Sequence, residues 1–279
     1  MIELLVVIAI ILILVGLLMP TLGQAWHRAQ AAYCRSNFGQ LQLGWFLYTG
    51  DFQEHLPRNE AEARGSYPGS DSMPGAAAAQ NLGSWLCDSR SRLYEAAPGS
   101  WVVGNAWWDI DDSGIRQGTL WPYLECCRVY KCPADRSTVR DLPRHPRTRS
   151  VSMSAYMNPD PGQDNNKYDL AWHKLNEIRQ PPPSDALVFV DEHPASINDG
   201  FFVIGQPDHP AYNVPWSWYD APSLRHRRAC AVSFADGHAE IWPMVEVTTG
   251  QLAVQGVRDT DRDLKRFYAG IPHKLPLGR

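Results

Sequence analysis

Two groups of residues in the C-terminal half carry side chains that metal or acid–base chemistry uses. Asp191, Glu192 and His193 are consecutive, and His226, Asp236 and His238 lie further on, around an Asp-Gly pair. Carboxylates and imidazoles suit a divalent metal, so convergence of Asp191, His193, His226, Asp236 and His238 would make a metal site. No compact ligand motif such as H-E-x-x-H accompanies them. The simpler reading is structural, and the sequence favours it. In that reading the Asp236 carboxylate accepts backbone N–H groups of a tight turn and the His226 imidazole caps a strand end.

Signals for catalysis are thinner. The chain has no G-x-S-x-G elbow, P-loop or Rossmann glycine pattern. Ser233 and Cys230 are near His226 in sequence, but as strand residues they read as packing, and no enzyme activity is expected. Six cysteines are present; Cys126, Cys127 and Cys132 lack the paired C-x-x-C spacing of a structural zinc site. The set reads as buried thiols or disulfides, with Cys34–Cys132 one pairing among several that spacing leaves open. The acidic stretch Asp109 to Gly114 lacks the alternation and terminal glutamate of an EF-hand, so it reads as a solvated turn. Eleven tryptophans leave two readings, a stacking surface for sugars or buried core, and core is the commoner fate. The run Arg225-His226-Arg227-Arg228 reads as a solvated edge. With 26 Lys and Arg against 30 Asp and Glu, and a net charge of -4, no field argues for nucleic acid as a partner.

The elements that must position these residues fall late in the chain. Ala186 to Val190 and Gly200 to Ile204 are short β-prone runs. Ala229 to Ala235 and His238 to Trp242 flank Asp236-Gly237, a hairpin signal because glycine accepts positive φ. Gly118 to Leu124 predicts a short helix before the Cys-Pro element, and residues 57–84, rich in Gly, Pro, Ser and Ala, predict a long surface loop.

The N-terminus has a different character. Leu4 to Met19 is a run of sixteen residues without a polar side chain, followed by Pro20. As a helix it spans roughly 24 Å, close to a bilayer's hydrocarbon core of about 30 Å. Glu3 at its mouth is costly in an apolar setting unless paired. Beyond Pro20, which would kink the helix without ending it, Leu22, Trp26, Ala29, Tyr33, Leu41, Trp45 and Tyr48 recur at roughly helical spacing to about Asp51. The expected fold is α+β: a long N-terminal hydrophobic and amphipathic helix packed on a small antiparallel sheet, with long loop insertions. Residues 1–26 would be the transmembrane or filament-core helix. Residues 27–279 would form one extracytoplasmic domain that includes the amphipathic half of the helix, 27–50.

The opening run IELLVVIAIILILVGLLMPTL resembles the N-terminal segment of type IV pilins and type II secretion pseudopilins. In these a glutamate opens the hydrophobic helix and a proline kinks its far end; Glu3 and Pro20 match them. The block AYCRSNFGQLQLGWFLYTGDFQEHLP resembles the prepilin-type H-x9-DG subgroup, related to the DUF1559 proteins. Further matching blocks are YKCPAD, RSVSMSAYMN, VFVDEHPASINDGFF and the signature itself, His226 followed after nine residues by Asp236-Gly237. The resemblance implies a pilin-like structural subunit of a type IV pilus-like or type II secretion filament, held in the inner membrane with its domain in the periplasm before assembly. Its implied partners are like subunits, the membrane and, for the precursor, a prepilin peptidase and assembly platform. It implies that Glu3 neutralises the N-terminal amine of an adjacent subunit. No cofactor is expected; because some related pseudopilins use calcium to order C-terminal loops, calcium or another divalent metal is the alternative. The family's short basic leader ending in glycine is expected upstream of Met1. The alternative function is a membrane-tethered extracytoplasmic enzyme or carbohydrate-binding protein.

Overall fold

A computed structural model describes residues 2–59, 61–64, 93–96, 98–140, 142–159, 170–205, 216, 218–246 and 260–272. Cys87, Trp85 and most of the predicted 57–84 loop lie outside these residues. The part of that loop that is described contains a strand, β1 (Ala61–Arg64), paired antiparallel with β2 (Leu93–Ala96), and a second antiparallel pair joins β3 (Thr138–Val139) to β4 (Leu142–Pro146).

Helix α1 runs unbroken from Ile2 through position 20 to Asp51, 50 residues, or about 75 Å at 1.5 Å per residue. It ends because Gln53 and Glu54 turn to positive φ, 54° and 65°. The Glu54 N–H then donates back to the Thr49 carbonyl at 2.8 Å, closing the last turn as a left-handed cap does. The two halves of α1 meet different surroundings. From Leu4 to Trp26, fifteen large apolar side chains are exposed, and this helix is long and apolar enough to cross a membrane. Further along, Cys34, Phe38, Leu41 and Trp45 are fully buried, a stripe at the four-three-four spacing of one helix face. The embedded face therefore begins later than the sequence suggests. Tyr33 lies within the amphipathic half, 27–50, yet is 51% exposed, because the elements that cover the helix reach it only from about Cys34 onward.

Those elements are a five-stranded sheet and a set of short helical turns. The sheet order is β7 (Phe201–Phe202), β5 (Val151–Ser154), β6 (Leu187–Asp191), β8 (Ala229–Phe234), β9 (Ala239–Pro243). All neighbours are antiparallel except β5 and β7, which run parallel, so the sheet is mixed rather than purely antiparallel. All six residues of β8 are buried, as expected of a strand covered on both faces. On one side Ser233 donates its hydroxyl to Gln42 of α1 at 3.0 Å. On the other, Phe234 packs on Trp242, whose ring meets Phe267 edge-on at 5.3 Å. Phe267 belongs to helix α4 (Arg262–Ala269), where Leu264, Phe267 and Tyr268 form the buried face and Asp261 caps the start by accepting the Leu264 N–H. Also against α1 pack α3 (Trp121–Leu124) and a 3-10 turn, Cys127–Tyr130, and α2 (Ser113–Gln117) packs on these two. The Asn37 amide donates to the carbonyls of Arg128 and Lys131, both at 3.2 Å, which holds this turn against α1.

The tryptophans serve mainly as core. Trp45, Trp101, Trp107, Trp172, Trp218 and Trp242 are buried, and among the described tryptophans Trp26 alone is largely exposed. The stacking-surface reading therefore finds no support among the described residues.

Candidate metal centre

Four buried side chains from distant parts of the sequence meet at one end of the sheet: Cys34, Cys132, Asp191 and His226. One donor atom from each lies within 4.8 Å of all the others, an arrangement that could hold a metal ion. Cys34 is on the buried stripe of α1. Cys132 follows the 3-10 turn, in a bend where the Asp135 N–H donates to the Cys132 carbonyl at 2.9 Å. Asp191 is the last residue of β6. His226 sits in the tight turn before β8, where Arg227 and Arg228 both adopt positive φ, 57° and 64°. Because β6 and β8 are antiparallel, the end of β6 and the start of β8 share one sheet edge, which brings Asp191 to His226.

Polar partners fix each donor. The Ser150 hydroxyl donates to Asp191 Oδ1 at 2.8 Å and its oxygen accepts the Cys132 N–H at 2.9 Å, so one serine sets both groups. Arg225 donates to the same Oδ1 at 2.7 Å, and the Ser223 hydroxyl donates to Oδ2. Arg225 also pairs with Asp135 at 3.2 Å, which ties the Cys-Pro bend to β6. Arg225 is thus a buried ion-pair residue rather than the solvated edge expected of the basic run.

Sulfur and imidazole are in direct contact, with Cys132 Sγ 3.2 Å from His226 Nε2. The Cys34 thiol donates to Cys132, and this with the neighbouring His226 lowers the Cys132 pKa to about 7 against the cost of burial. Cys34, as the donor and buried, is pushed well up. Burial disfavours charge on His226, yet the Cys132 sulfur raises its pKa above the ordinary value. The Cys132 sulfur, between a thiol donor and an imidazole, is the most easily deprotonated of the three groups, and a thiolate is the form that binds a metal. Cys34, Cys126, Cys127, Cys132 and Cys230 are free thiols; the suggested Cys34–Cys132 pair is therefore side by side but not bonded.

Of the five candidate ligands named from sequence, Asp191 and His226 belong to this cluster and three do not. Asp236 and His238 lie at the opposite end of β8, about 20 Å away along a six-residue strand. There Asp236 Oδ1 accepts the His238 N–H at 3.1 Å and contacts His238 Nδ1 at 2.5 Å, while Gly237 adopts φ +102° beneath the Phe46 ring. This end is the hairpin anchor of the structural reading, but without His226. His193 turns away as well: its Nδ1 accepts the Ala195 N–H at 3.2 Å and caps the turn after β6. The acidic stretch before α2 forms the expected turn, Asp111 accepting the Ser113 N–H and Asp112 pairing with Arg116.

From sequence Cys34 and Cys132 were paired only as one possible disulfide, because no local spacing marks them as ligands. A signal was nonetheless present: each of the four donors falls in one of the blocks that carry the family resemblance, AYCRSN, YKCPAD, VFVDEH and the H-x9-DG histidine. No protein-family model matches the chain, and no curated protein or solved structure shows significant similarity to it.

Proposed function

We propose that this chain is a structural, pilin-like subunit of an extracytoplasmic filament of the type IV pilus or type II secretion kind, held in the inner membrane by α1 before assembly. The observation that carries this reading is the division of α1. Its C-terminal half is locked into the domain, while fifteen large apolar side chains of its N-terminal half face outward. Burying one such side chain stabilises by about 1.5–3 kcal/mol, so leaving the set in water would forgo tens of kcal/mol. Lipid satisfies that surface in the membrane, and a bundle of like helices satisfies it in a filament. A helix that served only as an anchor would need no rigid continuation into the domain core, whereas a filament subunit needs one to fix the domain relative to its neighbours.

Glu3, exposed near the start of α1, is suited to set the axial position by pairing with an adjacent subunit's amine inside the low-dielectric bundle. Replacing it, Glu3→Ala, in the full precursor should leave membrane insertion intact while abolishing the protein in the sheared surface-fibre fraction. Wild-type recovery of Glu3→Ala in that fraction, or a wild-type protein that never leaves the membrane fraction, would overturn the proposal in favour of a tethered enzyme or sugar-binding protein.

A further inference from the structure

We propose that Cys34, Cys132, His226 and Asp191 bind one zinc ion, forming a closed structural site that fastens α1 to the sheet where the helix leaves the domain. Tetrahedral zinc, with Zn–S near 2.3 Å and Zn–N near 2.0–2.1 Å, places its donors roughly 3.5–3.8 Å apart. All four donors lie within 4.8 Å of one another and the Cys132–His226 pair is at 3.2 Å, so small side-chain adjustments suffice. The donor set chooses the metal class. Two thiolates and an imidazole suit zinc and disfavour calcium or magnesium, which take oxygen.

Charge and lone pairs agree. Zinc with two thiolates and a neutral imidazole adds no net charge to the buried site, two protons leaving as the ion binds. Asp191 keeps its ion pair with Arg225. A carboxylate has about four acceptor positions; Ser150 and Arg225 occupy Oδ1 and Ser223 takes one on Oδ2, which leaves one for a metal. A disulfide would engage the two sulfurs alone and leave His226 Nε2 without its partner; a metal ion uses every donor. A cleft lined by Tyr33, Arg128, Lys131, Cys132 and Asp135 gives the ion a route in. The location gives the site its role: Cys34 is the first fully buried residue of α1, so the ion would brace the junction between projecting and embedded halves of the helix.

The test is metal analysis of the full chain purified in detergent, with its cobalt-exchanged form examined by visible spectroscopy. Expected are one zinc per chain and the d–d and thiolate charge-transfer bands of a tetrahedral cobalt site. Cys34→Ser, Cys132→Ser and His226→Ala should lose the ion, and Ser150→Ala should weaken binding about 10–100-fold. Asp236→Asn and His193→Ala should retain it. Substoichiometric metal in the wild type after equilibration with zinc under reducing conditions, or a Cys34–Cys132 disulfide in protein taken directly from membranes, would overturn the site. The wild-type cobalt spectrum decides the matter even if a ligand variant fails to fold.

Discussion

Glu192, Asp199 and Asp220 are carboxylic acids buried close together on the far side of β6 from the metal donors, with the buried Arg149 beside them. Arg149 spends its guanidinium on the Asp199 and Asn198 carbonyls, at 2.6 and 2.9 Å, so it neutralises the group only in part. Burial raises Glu192 to about 8 and Asp199 to about 6; burial, with the Glu192 and Asp199 charges, also holds Asp220 well above the ordinary carboxylate value. A raised carboxylate pKa means that the folded domain keeps a proton the unfolded chain has released. Stability from Asp199 is therefore complete below its ordinary 3.8 and falls as pH climbs from there through about 6, by about 3 kcal/mol in all. Asp199→Asn should flatten that part of a urea-denaturation profile measured on the full chain in detergent; an unchanged slope between pH 4 and 6 would assign the dependence elsewhere. These serine- and carboxylate-rich positions also explain what the sequence concealed. β5 was not predicted because Ser152 and Ser154 interrupt its apolar run, yet both are buried, Ser152 donating to Glu192 at 2.5 Å. At the candidate metal centre Asp191 and His226 were legible as chemistry-bearing residues, whereas Cys34 and Cys132 were read only as a possible disulfide, since only the tertiary fold brings them to the other two donors.

Among the elements, α1 carries the sharpest contrast. A methyl group added at Gly44 would lie 2.8 Å from the Leu124 Cγ of α3, while one at Gly39 would meet nothing within 4 Å. Gly39→Ala should stabilise the domain by about 0.5–1 kcal/mol, the usual gain on removing a mid-helix glycine. Gly44→Ala gains the same propensity but overpacks the α1–α3 contact, a cost of about 1–3 kcal/mol, and should lose about 1 kcal/mol net in the same denaturation assay. Equal and stabilising effects of the two would show that α3 does not press on α1. Element identity was readable wherever a helical period, a continuous apolar run or a turn pair marks it: α1, β6, β8, β9 and the Asp236-Gly237 hairpin lie where their residues place them, to within a residue or two. Helix α4 carries its own sequence signal, Asp261 as cap and the i, i+3, i+4 set Leu264, Phe267 and Tyr268. Register rather than residue type separates the five candidate ligands. An antiparallel β6–β8 pair puts the hairpin turn at the end opposite Asp191, so Asp236 and His238 could not reach it.

For the whole molecule, the consequence is a division of labour along one helix. The embedded half of α1, the Asn37 and Gln42 hydrogen bonds and the cysteine at the junction make helix and domain one rigid body, while the outward half offers an apolar surface with a single acid near its end. Such a body can transmit the order of a helix bundle to the domains around it. The most direct test places a photo-crosslinking amino acid at Leu12, exposed at mid-span on α1, in the full precursor expressed in cells that assemble filaments. If α1 packs against like helices, irradiation of the sheared fraction should yield a ladder of dimers and higher multimers joined through Leu12, and Glu3→Ala should remove it. Monomers or lipid adducts in every fraction, with no subunit-to-subunit crosslink, would contradict the account.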